Sequence, residues 1–328
     1  MTVTITVPQV IPKSIVYAFS CLSGLAIAIS VVFLIFNIRN RKEKIVKMSS
    51  PNLNNVIILG NILVCVFVVF MGLDTGMVDT DTYLTICKAK LWILTIGFTL
   101  AFGSMFAKTW RVYSILIHEK TKKKSIKDRH LGITVAVMLV VDVAILIVRE
   151  VVDPLNVRTT TIVQPQSDDD EVALVRYLYL YVESYSKMSG VWLAILTAYK
   201  GLMLVFGSFL SWQTRNITVT GLNDSKEIAL SIYNVVICCA ITLPLSLLIQ
   251  SDPGASYAMT AGFILFSTVI TLCMLFVPKV NAIIRKKNTV GSNAEKPETA
   301  FKFNMSSANT ASTNKTTETK ASVSAVDG

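Results

Sequence analysis

Three ionisable side chains stand inside long apolar runs, and a fourth stands at the margin of one: Lys108, Asp142, Lys200 and Asp224. An ionisable group at mid-membrane costs several kcal/mol, so each needs a partner or a purpose. Asp142 lies about 16 Å into its run and Lys200 near the middle of the next. Consecutive antiparallel helices bring such depths together, so an Asp142–Lys200 ion pair is one reading. The other is that each faces a polar cavity and bonds to backbone or water. Lys108 and Arg111 fall at the end of a third run, and Asp224 and Lys226 just before the sixth. An acid–base pair there would hold one face of a bundle closed and yield when it opens. The alternative is snorkelling, with Lys108 reaching the headgroups.

Other chemistry is poorly represented. Six cysteines (Cys21, Cys65, Cys87, Cys238, Cys239, Cys273) show no metal-ligand spacing, and the adjacent pair reads as helix packing. His118 and His130 flank a basic stretch and read as solvated. There is no Ser/His/Asp or Cys/His set, no phosphate-binding glycine loop and no HExxH, so neither an enzyme nor a cofactor or metal is expected. A retinal protein needs a lysine in its seventh helix, and Tyr257 to Val277 contains none. A transporter or channel would want ion-pathway charges on more helices than these.

The elements that must position those charges follow from hydropathy. Of 328 residues, 52% are hydrophobic and 16% charged, against about 25% charged in soluble domains. Seven apolar spans are predicted: Ile15–Ile38, about Asn55–Leu73 with Pro51 starting its helix, a third opening at Cys87 and carrying Lys108, Leu131–Val148, about Met188–Trp212, Ile228–Ile249 with a kink at Pro244, and Tyr257–Val277, stopped by Pro278. The net charge of +10 flanks these spans, which explains it better than nucleic-acid binding does. The alternate loops expected inside carry five, six and two Lys/Arg; those expected outside carry none, four and none. This places the N-terminus outside and the C-terminus inside. The sequons at Asn216, Asn223, Asn304 and Asn314 then lie inside and should be unused. The fold class is an all-α seven-transmembrane bundle over 14–280. A short segment, 1–13, expected to be extracellular, precedes it and does not read as a cleaved signal peptide. A Ser/Thr/Asn-rich cytoplasmic tail, 281–328, is expected to be disordered.

Five runs carry a resemblance: FNIRNRKEKIVKMSSPNLNN (36–55), WILTIGFTLAFGSMFAKTWRV (92–112), AYKGLMLVFGSFL (198–210), TRNITVTGLNDSKEIALSIYN (214–234) and STVITLCMLFVPK (267–279), together with VDPL (152–155). They resemble class C G-protein-coupled receptors and, more narrowly, the metabotropic GABA-B family, with AFGSMFAKTWRV and TRN…LNDSK looking like its subunit 2. The rhodopsin-like signatures, Asp/Glu-Arg-Tyr after the third span and NPxxY in the seventh, are missing.

The resemblance implies a multi-pass plasma-membrane receptor that activates an inhibitory heterotrimeric G protein beside a second receptor subunit, with membrane lipid as a further partner. It implies an ionic lock between Lys108 and Asp224. It also implies a G-protein-facing surface from Arg111, Lys120, Lys122, Lys123, Lys124, Lys127, Arg129, Asn223 and Lys226.

Four departures qualify it. Only 13 residues precede the first span, so the chain alone is not expected to bind GABA as the family does with its extracellular flytrap domain. The family's disulfide would use Cys87, but the second outer loop has no cysteine and Glu183 stands at the partner's place. Residues 280–328 show no heptad for a coiled coil. Val280 follows Pro278-Lys279 without the tyrosine many class C receptors carry two positions on. A non-signalling scaffold or partner subunit is the alternative reading.

Overall fold

Backbone N–H and C=O groups in hydrocarbon must be satisfied within the chain, so apolar runs of this length become helices. The computed structural model describes residues 3–8, 10–118, 128–165, 175–185, 187–215, 224–249 and 252–294. Among them seven helices are long and apolar enough to cross a membrane. In chain order the elements are β1 (Val3–Pro8), α1 (Lys13–Arg39), α2 (Lys44–Met48), α3 (Pro51–Gly72), α4 (Thr80–Phe98), a π-helical turn (Thr99–Gly103), α5 (Ser104–His118), α6 (Asp128–Val152), β2 (Asn156–Pro165), β3 (Val175–Tyr185), α7 (Ser189–Thr214), α8 (Ser225–Leu248) and α9 (Pro253–Ala294). α4, the π turn and α5 make the third span. Contacts divide the chain into Met1–Val280 and Asn281–Gly328.

Three boundaries differ from expectation. The third span begins at Thr80, because Asp79 caps it by accepting from the Asp81 N–H and turns half of the expected acidic loop into helix. Pro278 does not stop the seventh span but lies inside α9. A proline removes only one backbone bond, which a long membrane helix tolerates when its neighbours support it. The helix runs on to Ala294, into the stretch expected to be a disordered tail. Residues 295–328 and the SDDDE run lie outside the described residues.

The segment between α6 and α7 was expected to be loop, yet it contributes strands. The sheet order is β1-β3-β2, with β1 parallel and β2 antiparallel to β3. Glu183 falls in β3 opposite Arg158 of β2. All six cysteines are free, Cys87 included. The segment is fixed otherwise. Asp153, at the end of α6, accepts from the backbone N–H of Lys187 at 3.1 Å and of Met188 at 2.9 Å, which clamps the two ends of the excursion together.

The main core is apolar and continuous across helices. Ile57 and Ile58 of α3, Phe102 of the π turn, Met105 of α5 and Leu272 and Phe276 of α9 are all buried in it. Gly60 of α3 lets the helix close on the π turn, since a Cβ there would collide with Ala101 N and lie 2.7 Å from Gly97 O.

Candidate functional site

Two polar clusters interrupt the apolar interior. The deeper one is built from three consecutive spans. Asp142 of α6 is fully buried, and Lys200 of α7 reaches it with Nζ 2.5 Å from Oδ1. Thr99 closes the triangle: its hydroxyl donates to Asp142 Oδ2 at 2.5 Å and accepts from Lys200 Nζ at 2.5 Å. Thr99 opens the π turn, where the extra residue per turn changes which side chains share a face. The Lys200 ammonium also stands 5.0 Å from the Tyr199 ring centroid and 5.5 Å from that of Phe98. Each ion therefore has several partners, the condition under which mutual attraction offsets desolvation.

The second cluster gathers at the end of the bundle where α1, α5 and α7 finish and α3, α6 and α8 begin. The connection from α2 into α3 supplies Ser49 and Ser50, with Ser50 in the left-handed region at φ 56°. Lys279 of α9 pairs with Asp224 at the start of α8, Nζ to Oδ2 2.8 Å. Ser49 donates to the same carboxylate oxygen. Lys108 of α5 is 5% exposed, donates to Asn54 Oδ1 of α3, and lies 3.5 Å from Ser49 Oγ. Arg111, one turn further on, donates to Ser50 Oγ at 2.8 Å. Asn54 in turn donates to Asn37 Oδ1 of α1, and Asn37 donates to Pro51 O and Asn55 Oδ1. The network thus ties α1, α3, α5, α8 and α9 at one end.

Its electrostatics favour the ionised acid. Burial alone would push the Asp224 carboxyl up. Lys279, then Lys108, and the hydrogen bonds from Lys279 and Ser49 outweigh it and hold the group below the ordinary carboxylate value of 3.8. A depressed acid contributes stability above its unfolded pKa and loses it as pH falls through the folded one. At neutral pH the anion is therefore present.

Among the expected site residues, Asp142 and Lys200 are brought together. Lys108 and Asp224 meet around Ser49, with Arg111 alongside. Lys226 and Arg129 are exposed. Lys120, Lys122, Lys123, Lys124, Lys127 and Asn223 lie outside the described residues. Sequence reasoning missed Lys279, Ser49, Asn54 and Thr99. A lysine directly after the proline of FVPK, and a run of five polar side chains in SSPNLNN, were the available signals. Among the described residues no group of three or more His, Cys, Asp or Glu side chains could hold a metal.

Seven spans with a charged network at one end make a seven-helix membrane bundle, and comparison with known proteins gives its class. Residues 11–279 match the family described as "7 transmembrane sweet-taste receptor of 3 GCPR", and the chain belongs to this class C family of seven-transmembrane receptors. It is a multi-pass plasma-membrane protein. It is 41% identical over 306 residues to gamma-aminobutyric acid type B receptor subunit 2 of Homo sapiens, covering 90% of this chain and 32% of that one. Subunit 2 of Caenorhabditis elegans is 39% identical over 275 residues, 84% of this chain and 32% of that one. Subunit 1 of Rattus norvegicus is 34% identical over 289 residues, 87% and 30%. The chain spans about a third of the length of the curated relatives it matches.

Proposed function

We propose that this chain is the transducing membrane module of a GABA-B-type receptor, subunit-2-like, which activates an inhibitory heterotrimeric G protein in assembly with a second receptor subunit. The Asp224 network carries the reading. It joins five helices through side-chain bonds at the bundle end flanked by most of the basic residues. Positive-inside bias orients that end toward the cytoplasm. There the network acts as the lock: Lys279 pairs with the Asp224 carboxylate, Ser49 links that carboxylate to Lys108, and separating α8 from α5 and α9 breaks several charge-assisted bonds at once. A two-state element with such a clasp is what an activating rearrangement must bias.

The test is nucleotide exchange on an inhibitory G protein in cells expressing the chain with candidate partner subunits. Asp224→Ala, Lys108→Ala and Lys279→Ala should each raise basal exchange. A coupling of about 1–2 kcal/mol corresponds to a five- to thirtyfold shift in the open population. Silence in every variant, at normal surface expression, supports the alternative of a non-signalling scaffold or partner subunit.

A further inference from the structure

We propose that the groove between α3, α5 and α6 is a binding site for one anionic phospholipid. A cavity of about 380 Å³ opens there on the side of the bundle. Its α6 wall is a single helical stripe, Arg129, Gly132, Val135, Ala136 and Leu139, at the i, i+3, i+4 spacing of one face. That stripe runs about 15 Å, the reach of the upper part of an acyl chain.

The polarity is graded along it. At the mouth stand Arg129, which is exposed, and Asn52, with α3 and α6 both beginning there and directing their N-terminal N–H groups at that level. Roughly a turn deeper than Lys108 comes Ser104, fully buried, lining the cavity, with its Oγ unbonded. Beyond it Leu100, Val56 and Leu139 make the wall apolar. A buried hydroxyl without a partner is costly, and Ser104 is among the residues lining the cavity, so a small rotation of its side chain would bring the hydroxyl to an acceptor placed there. A glycerophospholipid matches all three levels. Its phosphate reaches Arg129 and Asn52, an ester carbonyl accepts from Ser104, and a chain follows the apolar stripe. Among the described lining residues there is no carboxylate to repel the anion. The groove is open at Gly132, where an added Cβ meets nothing within 4 Å.

The site needs only a membrane and is independent of G-protein coupling. Native mass spectrometry of the purified full chain, titrated with phosphatidylglycerol, with phosphatidylcholine of the same acyl chains, or with cholesterol, tests it. The expected result is one tightly retained phosphatidylglycerol, and about tenfold weaker retention in Arg129→Gln, the loss of one charge-assisted contact. Arg129→Lys should retain most of the binding. Gly132→Leu should exclude the lipid by filling the groove. Ala136→Leu, from an exposed position on the same stripe, repeats that test should the first variant melt early. Equal retention of both headgroups, indifference to Arg129→Gln, or cholesterol as the species that Gly132→Leu expels would each overturn the proposal.

Discussion

Asp142 is the residue on which the interior depends most. It is 0% exposed and takes bonds from Lys200 and Thr99 on two other helices. Removing one partner of a buried pair leaves the other ion uncompensated, at about 3–5 kcal/mol. Asp142→Ala is therefore expected to lower the melting temperature and surface expression sharply. Replacing both ions, as Asp142→Leu with Lys200→Met, should recover most of the loss. Thermal melting in detergent of the two single variants and the double variant measures this. Additive losses in the double variant would show that the pair is not the source of the stability. The meeting of these two residues could be read from the sequence, because depth in a membrane helix is a matter of counting at 1.5 Å per residue. Thr99 could not be read that way. Its place in the triangle depends on a π turn, and no periodicity of the apolar residues announces one. Lys279 was hidden for a different reason: a proline in front of it looked like the end of the helix.

At the scale of elements, α3 is the helix against which the third span is fitted. Gly60 faces the π turn so closely that even a methyl group meets Ala101 N and Gly97 O, both backbone atoms that cannot rotate away. Gly97 returns the contact, its Cβ position lying 3.0 Å from Leu63 Cβ. Small residues at such crossings let backbones approach where no hydrophobic drive acts between helices. Gly60→Ala should cost about 1–3 kcal/mol by overpacking, although alanine is the better helix former. Gly201→Ala is the control, since a Cβ there meets nothing within 4 Å. A melting temperature that falls for the first and holds or rises for the second fits this account. Equal behaviour of the two would remove it. The membrane-spanning helices were legible, since each is a long apolar run between charges, whereas the five-residue α2 was not. Their ends were less so, because capping by Asp79 and continuation through Pro278 are decided by local bonds rather than by hydropathy. The strands between α6 and α7 were less legible: β2 and β3 are neighbours in sequence that pair antiparallel, but β1, which completes the sheet beside β3, comes from the far end of the chain.

At the scale of the whole molecule, charge is arranged along one axis. The buried network at the end where α3, α6 and α8 begin is compensated in part from within, Asp224 standing against Lys279 and Lys108. The lysines between α5 and α6, by contrast, have no acidic run of their own in the sequence around them. Two roles compete for that surplus. It can set topology alone, or it can also meet the acidic surface of the proposed G protein. Positive-inside bias is cumulative over the inner segments, and Arg39, Arg41, Lys42, Lys44 and Lys47 already orient the first span. Removing three charges from the later segment therefore leaves orientation intact while weakening a steered encounter. The combined Lys122→Gln, Lys123→Gln, Lys124→Gln variant should reach the cell surface with the wild-type accessibility of an N-terminal tag. Its rate of G-protein activation should fall, by about tenfold at low ionic strength and less as salt screens the attraction. Activation unchanged at every salt concentration would confine these lysines to topology and leave the contact to the helix ends around Asp224.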